Sequence, residues 1–316
     1  MKRFLKYSAI ASIPVILAVL AVFFTPLNKR FAYSFIKGDC SGRGKWVYDR
    51  IYENEKPIDV AFIGTSVGWG LFDDKTLSKK LSKHNKKEVS VANLSYCRPG
   101  FNLRTLLIEE LIATKKPKQI VIELRWKPSK GGHPMYGYVA TTKMLLSPAT
   151  FLYQPYTTDL KNALVTRWEQ IKNNLLYPKE AYRADRADYG YAARTDTADQ
   201  RYMANLFESI KKKDPYPSLT LQESIHFYVY WKNMEYIANL CTDNNIELLL
   251  CYVNQFGRPI NAPRFKNRLE AIAPVIYPPD SIFQTPTNYW DVVHVNHHAA
   301  DAMTAFLFQE LSQREY

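Results

Sequence analysis

Beyond residue 56 the chain alternates between two spacings of apolar residues. IDVAFIG, VSVANLS and QIVIEL are short apolar runs of strand length. DDKTLSKKLSKH and NLRTLLIEELIATKK, which separate them, space their apolar residues three and four apart, as one face of a helix does. The same alternation returns late in the chain. A helix, ESIHFYVYWKNMEYIANLCTD, precedes the strand IELLLCYV, a further helix lies near PRFKNRLEAI, and HHAADAMTAFLFQELSQ closes the chain. Strands separated by helices pair in parallel, in a sheet covered on both faces. The expected fold is therefore α/β, a three-layer sandwich on a mostly parallel sheet.

Two stretches depart from this pattern. Residues 127–222 contain no apolar strand and carry tyrosine, tryptophan and charge in runs such as TTDLKNALVTRWEQIKNNLL, which predicts a mainly helical insertion within residues 57–316. At the other end, MKRFLK is followed by YSAIASIPVILAVLAVFFTPL, residues 7–27, which carry no charge and reach the ~20 residues that cross a bilayer. Residues 1–28 therefore read as a transmembrane anchor and residues 29–56 as a juxtamembrane connector ending in the helix KWVYDRIYENEK. Bulky Phe23, Phe24 and Leu27 stand where a signal peptide has small residues before its cleavage site. Lys2, Arg3 and Lys6 favour a cytoplasmic N-terminus and an extracytoplasmic domain, although Lys29, Arg30 and Lys37 weaken the asymmetry.

Charge and cysteine content narrow the picture further. The 316 residues carry a formal net charge of +12, but the lysines are spread over SKKLSKHNKK, ATKKPKQ and SIKKKDP, so no nucleic-acid module is expected. A basic exterior suits an anionic membrane surface or an acidic glycan. Cys40, Cys97, Cys241 and Cys251 lack the paired spacing of a zinc ribbon, and Cys241 and Cys251 read as buried apolar thiols. Cys40 follows IKGD, which is no lipid-attachment box, and the sequence leaves any disulfide pairing open.

The chemistry-bearing stretch is AFIGTSVGWG. It lacks the lysine of a phosphate-binding P-loop, and its glycines are spaced by four and two, unlike a dinucleotide fingerprint. It does contain G-x-S-x-G, as Gly64-Thr65-Ser66-Val67-Gly68, directly after an apolar strand. A serine hydroxyl needs an imidazole to take its proton and a carboxylate to orient that imidazole. His84, His133 and His226 read as surface or packing residues. In NYWDVVHVNHHAADAMTAFL, Asp291 and His294 are three apart just before a helix, a spacing that turns both side chains to one place. His297 and His298 point two ways at that helix start, so neither a metal nor a cofactor is expected.

One strand before Ser66, and an acid and histidine sharing one late loop, resemble the SGNH or GDSL hydrolase superfamily and not the α/β-hydrolase order. That family places Gly-Asp-Ser after its first strand and D-x-x-H before its last helix, which here are Gly64-Thr65-Ser66 and Asp291-Val292-Val293-His294. The resemblance implies a flavodoxin-like sheet, with Ser66 as nucleophile, His294 as general base and Asp291 as the orienting acid. It also implies that Gly100, in ANLSYCRPGFN, helps to bind the oxyanion. Where the family has G-x-N-D after its third strand, this chain reads VIELRWKP, and losing such a donor costs ~2.7–4 kcal/mol of transition-state stabilisation. Arg125 or Asn102 could replace it; Glu123 and Arg125 could equally form a structural ion pair.

The single N-terminal span, the Gly-Thr-Ser and D-x-x-H blocks and the insertion are similar to a membrane-anchored branch of that superfamily. This branch includes the D-alanyl transfer proteins of teichoic acid modification and the alginate O-acetylation proteins. That resemblance implies acyl transfer through a seryl ester to an acidic or neutral cell-surface glycan, beside a membrane-bound O-acyltransferase partner. A catalytically silent scaffold for such a partner and a plain secreted esterase are the other readings. The tyrosines between 136 and 232 could stack on sugar rings or simply pack.

Overall fold

The structure is a computed structural model that describes residues 1–36, 38, 41–126, 131–147, 156–176, 183–185, 187–212, 218–258 and 263–314. The first helices are α1 (Lys2–Phe24), α2 (Lys29–Phe35) and α3 (Ser41–Tyr52). Then come β1 (Val60–Ile63), α4 (Ser66–Leu71), α5 (Asp74–Asn85), β2 (Val91–Asn93), α6 (Phe101–Thr114) and β3 (Gln119–Leu124). The insertion carries α7 (Tyr136–Val139), α8 (Thr142–Leu145), α9 (Tyr156–Leu176) and α10 (Gln200–Lys211). The chain closes with α11 (Leu221–Asp243), β4 (Glu247–Tyr252), α12 (Lys266–Glu270), β5 (Val275–Ile276), α13 (Ser281–Gln284) and α14 (His297–Ser312).

The five strands form one parallel sheet in the order β2-β1-β3-β4-β5, the flavodoxin-like arrangement. The two-residue side-chain period divides each strand between two cores. Val60, Phe62, Val121, Leu249 and Cys251 face α4, α5 and α14, where they meet Val67, Leu77, Met303 and Leu307. Ala61, Ile63, Ile120, Ile122, Leu248 and Leu250 face the other way, onto Leu107 and Leu111 of α6 and Met234 and Ile237 of α11. Each fully buried Leu, Ile or Phe contributes ~1.5–3 kcal/mol, so both faces must be covered for the sheet to stand.

Residues 29–56 belong to this second core. Tyr33 and Ile36 of the α2 region and Val47 and Ile51 of α3 are fully or almost fully buried in it. Tyr33 donates to the buried Glu110 of α6, whose other oxygen pairs with Lys29 at 2.9 Å. In the insertion, α7 and α9 continue the same core, whereas Met203 of α10 is buried in the opposite one. Between them a strap without helix or strand, residues 187–199, runs along the carboxyl edge of the sheet. Its Gly190 and Tyr191 N–H groups donate to Asp74, and Arg43 of α3 donates to Gly190 O. Burial pushes the Asp74 carboxyl up, against those N–H groups and the Arg43 charge, and burial lowers Arg43 to about 9.

Cys241 and Cys251 are buried free thiols, as their apolar settings predict, and Cys97 is disulfide-bonded. The reading of Cys40 lies outside the described residues. Helix α1 is 23 residues long, about 35 Å at 1.5 Å per residue, and is apolar enough to cross a membrane.

Candidate active site

In this strand order the chain leaves β1 toward β2 and then crosses back to β3. The crevice where open α/β sheets place their sites therefore lies beyond the carboxyl ends of β1 and β3. Ser66 is the first residue after the β1 turn, and Arg125 directly follows β3.

The turn bearing Ser66 is held from below. Glu123, near the end of β3 and only 1% exposed, accepts from Thr65 N (2.7 Å), Thr65 Oγ1 (3.0 Å) and Gly68 N (3.1 Å). A Cβ on Gly64 would lie 2.4 Å from Glu123 Oε2, and one on Gly68 2.7 Å, so both glycines are required by the close approach of this carboxylate. Thr65 Oγ1 also caps α4 by accepting from Val67 N. At the far end of α4, the Asn93 side chain donates to Gly68 O and Phe72 O. Gripped at both ends, this six-residue helix presents the Ser66 hydroxyl outward.

The opposite partner is equally constrained. An antiparallel bridge between Tyr289 and Val295 closes a loop in which Trp290 N and Asp291 N donate to His294 O. Asp291 Oδ1 accepts from Val293 N (2.8 Å) and His294 N (2.7 Å). That arrangement explains the D-x-x-H spacing, because the carboxylate folds back over the turn that delivers the imidazole. Asn296 fixes the next step, accepting from His298 N as the cap of α14 and donating to Thr287 O.

Ser66 Oγ lies 2.8 Å from His294 Nε2, and His294 Nδ1 lies 2.8 Å from Asp291 Oδ2. The carboxylate acceptor at Nδ1 places the ring proton there, leaving Nε2 to accept from the serine hydroxyl. Burial acts to raise the Asp291 carboxyl, but hydrogen bonds from His294 N, the His294 ring and Val293 N outweigh it and hold the group below its ordinary value. The three residues, 228 positions apart at the extremes, thus form one hydrogen-bonded chain able to withdraw a proton from an alcohol.

Arg125, with Val67, Val292 and Val293, lines a small cleft beside this chain. Its Nη1 lies 3.7 Å from Glu123 Oε1, so Glu123 is both the ion-pair partner of Arg125 and the brace of the nucleophile turn. Gly100 borders a different small cavity with Gly64, Thr65, Tyr96 and His133, and the space for a Cβ there is filled by the His133 backbone. Asn102 is drawn away: its Oδ1 accepts from His133 N and it lines a separate cavity with Thr105, Tyr136 and Asn233.

His133 and His226 are packing residues, 2% and 9% exposed. His133 Nε2 donates to Cys97 O, and burial lowers its ring to about 4. Among the described residues no group of three or more His, Cys, Asp or Glu side chains converges as metal ligands would.

The strap adds Arg194, which no motif marks. Its guanidinium lies 4.0 Å from the centroid of the Trp290 ring, which itself lies 6.0 Å from the His294 ring. Arg194 Nε lies 3.3 Å from the position of a Cβ on Gly70, one helical turn beyond Ser66, and Arg194 O accepts from His297 N. Only a chain traced in space could reveal it, since the surrounding TDTADQ run has no apolar period.

No family model and no curated protein sequence matches the chain. Among solved structures it is similar to a GDSL-like lipase from Bacteroides thetaiotaomicron, with 11% identity and a TM-score of 0.35 over 90% of this chain and 98% of that one. The class of the chain thus follows from its own geometry, a parallel α/β/α sandwich with a Ser–His–Asp hydrogen-bonded chain at the carboxyl edge of the sheet. Its N-terminal helix is long and apolar enough to span a membrane.

Proposed function

We propose that the protein is a membrane-anchored serine acyltransferase or esterase of SGNH-like type. The observation that carries this reading is the unbroken chain Ser66 Oγ–His294 Nε2 and His294 Nδ1–Asp291 Oδ2, both links 2.8 Å. In the reaction, Ser66 Oγ attacks the carbonyl carbon of an acyl ester while its proton passes to His294 Nε2. The tetrahedral adduct collapses, and the departing alcohol takes that proton. The hydroxyl of an acceptor, or water, then gives a proton to His294 and attacks the seryl ester, releasing the acyl group and returning the proton to Ser66. Asp291 keeps the imidazole in the required tautomer throughout. Arg125, in the cleft beside Val67, would share the oxyanion charge in the absence of the third-block asparagine.

The anchor reading is supported by how α1 ends. Phe23 is buried in the core, and Arg167 and Gln170 of α9 donate to the carbonyls of Thr25 and Pro26. Cleavage near residue 27 would strip Arg167 and Gln170 of these two acceptors. The membrane position, the basic exterior and the resemblance in the two blocks favour a cell-surface polysaccharide as acceptor and a membrane-bound O-acyltransferase as donor partner, on the extracytoplasmic side. A fluorophosphonate probe is expected to label the purified full chain, and Ser66→Ala to abolish labelling while leaving the circular dichroism spectrum unchanged. A folded wild-type chain that resists the probe would overturn the proposal.

A further inference from the structure

Helix α9 packs Ala163, Leu160 and Leu164 against the core, yet most of its fully buried side chains are polar and its outer face is apolar. Its buried face carries Asp159, Thr166, Arg167 and Gln170, each 5% exposed or less. Its outer face carries Val165, Trp168, Leu175 and Leu176, which are 40%, 51%, 74% and 66% exposed. With about 100° between successive residues, these four fall within an arc of about 100° together with Lys161 and Lys172. Leu146, just beyond α8, is also exposed. Among the described residues between the end of α1 and residue 200, these five are the exposed large apolar side chains.

The inward polar face has a local cause, because it holds the segment emerging from α1. Arg167 Nε donates to Thr25 O (3.3 Å) and its guanidinium stands over the Phe23 ring. Gln170 donates to Pro26 O (2.9 Å) and accepts from Asn28 N (2.8 Å), while Thr142 of α8 donates to Phe23 O. The helix therefore lies against the point where α1 joins the domain. Among the described residues the outward apolar face has no such partner. Water is the costly medium for it, and the medium already adjoining α1 is lipid.

We propose that the outer face of α9, with Leu146, rests in the headgroup–acyl boundary of the bilayer that α1 spans. Val165, Trp168, Leu175 and Leu176 would enter the boundary and Lys161 would meet anionic headgroups, while Lys172 lies 2.8 Å from Glu169 at the edge of the face. The proposal depends on the reading of α1 as a membrane span, and it commits the face to lipid and not to a partner protein.

Tryptophan fluorescence tests it directly, because the six tryptophans all lie outside α1. The full chain is reconstituted in phosphatidylglycerol–phosphatidylcholine vesicles with or without acyl-chain bromination. Bromolipid is expected to quench a component of the wild-type emission that Trp168→Phe removes. A Leu175→Gln, Leu176→Gln double variant, altered only at exposed positions, is expected to weaken the quenching of Trp168. Carbonate extraction of the same vesicles reports on α1 separately. A chain that resists extraction while Trp168 stays unquenched overturns the interfacial role of α9 alone, and that result would reassign the face to a protein partner. A chain that carbonate removes overturns the anchor reading and this proposal with it.

Discussion

Glu123 Oε2 and Thr65 N lie 2.7 Å apart, so a carboxylate on one strand fixes the turn that follows the neighbouring strand. In Glu123→Gln the amide oxygen can still accept from Thr65 N and Gly68 N, but the charge that strengthens those bonds and pairs with Arg125 is lost. The expected result is a loss on the order of 2 kcal/mol in urea unfolding, from the loss of hydrogen bonds to a charged group. Labelling of Ser66 by the phosphonate probe is expected to slow at least about tenfold, as misplacement of a reacting group slows chemistry. A variant that labels at the wild-type rate would separate Glu123 from the positioning of the serine.

Asp291→Asn can keep the bonds from Val293 N and His294 N while presenting an NH₂ group to His294 Nδ1. The ring then protonates at Nε2 and can no longer accept from Ser66. Labelling is expected to fall on the order of 10³–10⁴-fold with little change in melting temperature. The Asp291 carboxyl sits below its ordinary value, so its stabilising contribution is present above that value and lost only as pH falls through the lower folded one. The small difference in stability between wild type and variant is therefore expected to be constant from about pH 5 to 8.

Asp159 gives the opposite pH signature. Burial raises its carboxyl to about 7, which a bond from Gly137 N only partly opposes. A folded value above the unfolded one means stability that is complete below the ordinary carboxylate range and lost as pH rises through about 7. The wild-type melting temperature should drop between about pH 4 and 7 and level off above that, whereas Asp159→Asn should flatten that dependence and be the more stable protein at the upper end.

Arg167→Met removes the donors to Thr25 O, Ala140 O and Ala163 O. Ala163 O keeps its helical bond from Arg167 N, so the loss falls on Thr25 O and Ala140 O, at ~1–3 kcal/mol for each one left unpaired. Beyond a lower melting temperature, trypsin is expected to cut after Lys29 or Arg30 in this variant much faster than in the wild type. Equal cutting rates would show that α9 does not hold the end of α1.

Much of this architecture is legible in the sequence, because its strands and the helices between them keep their periods. The parallel sheet follows from IDVAFIG, QIVIEL and IELLLCYV, and Ser66, Asp291 and His294 from two short blocks. Three features are not legible, each for a physical reason. Strand β5 is two residues long, too short to show a period. Residues 29–56 look like a connector because KWVYDRIY discloses an apolar face but not what covers it; that face is part of the main core. The strap bearing Arg194 holds its place through backbone groups, among them Ala192 N to Trp69 O and Ala198 N to Tyr289 O, and such bonds leave no residue pattern.

The insertion joins two places that the sequence keeps apart. At α9 it clasps the chain leaving α1, and some twenty residues later its strap lies against the loop of Asp291 and His294. Its described parts thus tie both the end of α1 and the His294 loop to the same domain. On the proposed reading, with α1 in a bilayer, the protein would be a tool of set reach. It would serve acceptor hydroxyls presented at one height above the lipid and pass over those on the same polymer that lie nearer or farther out.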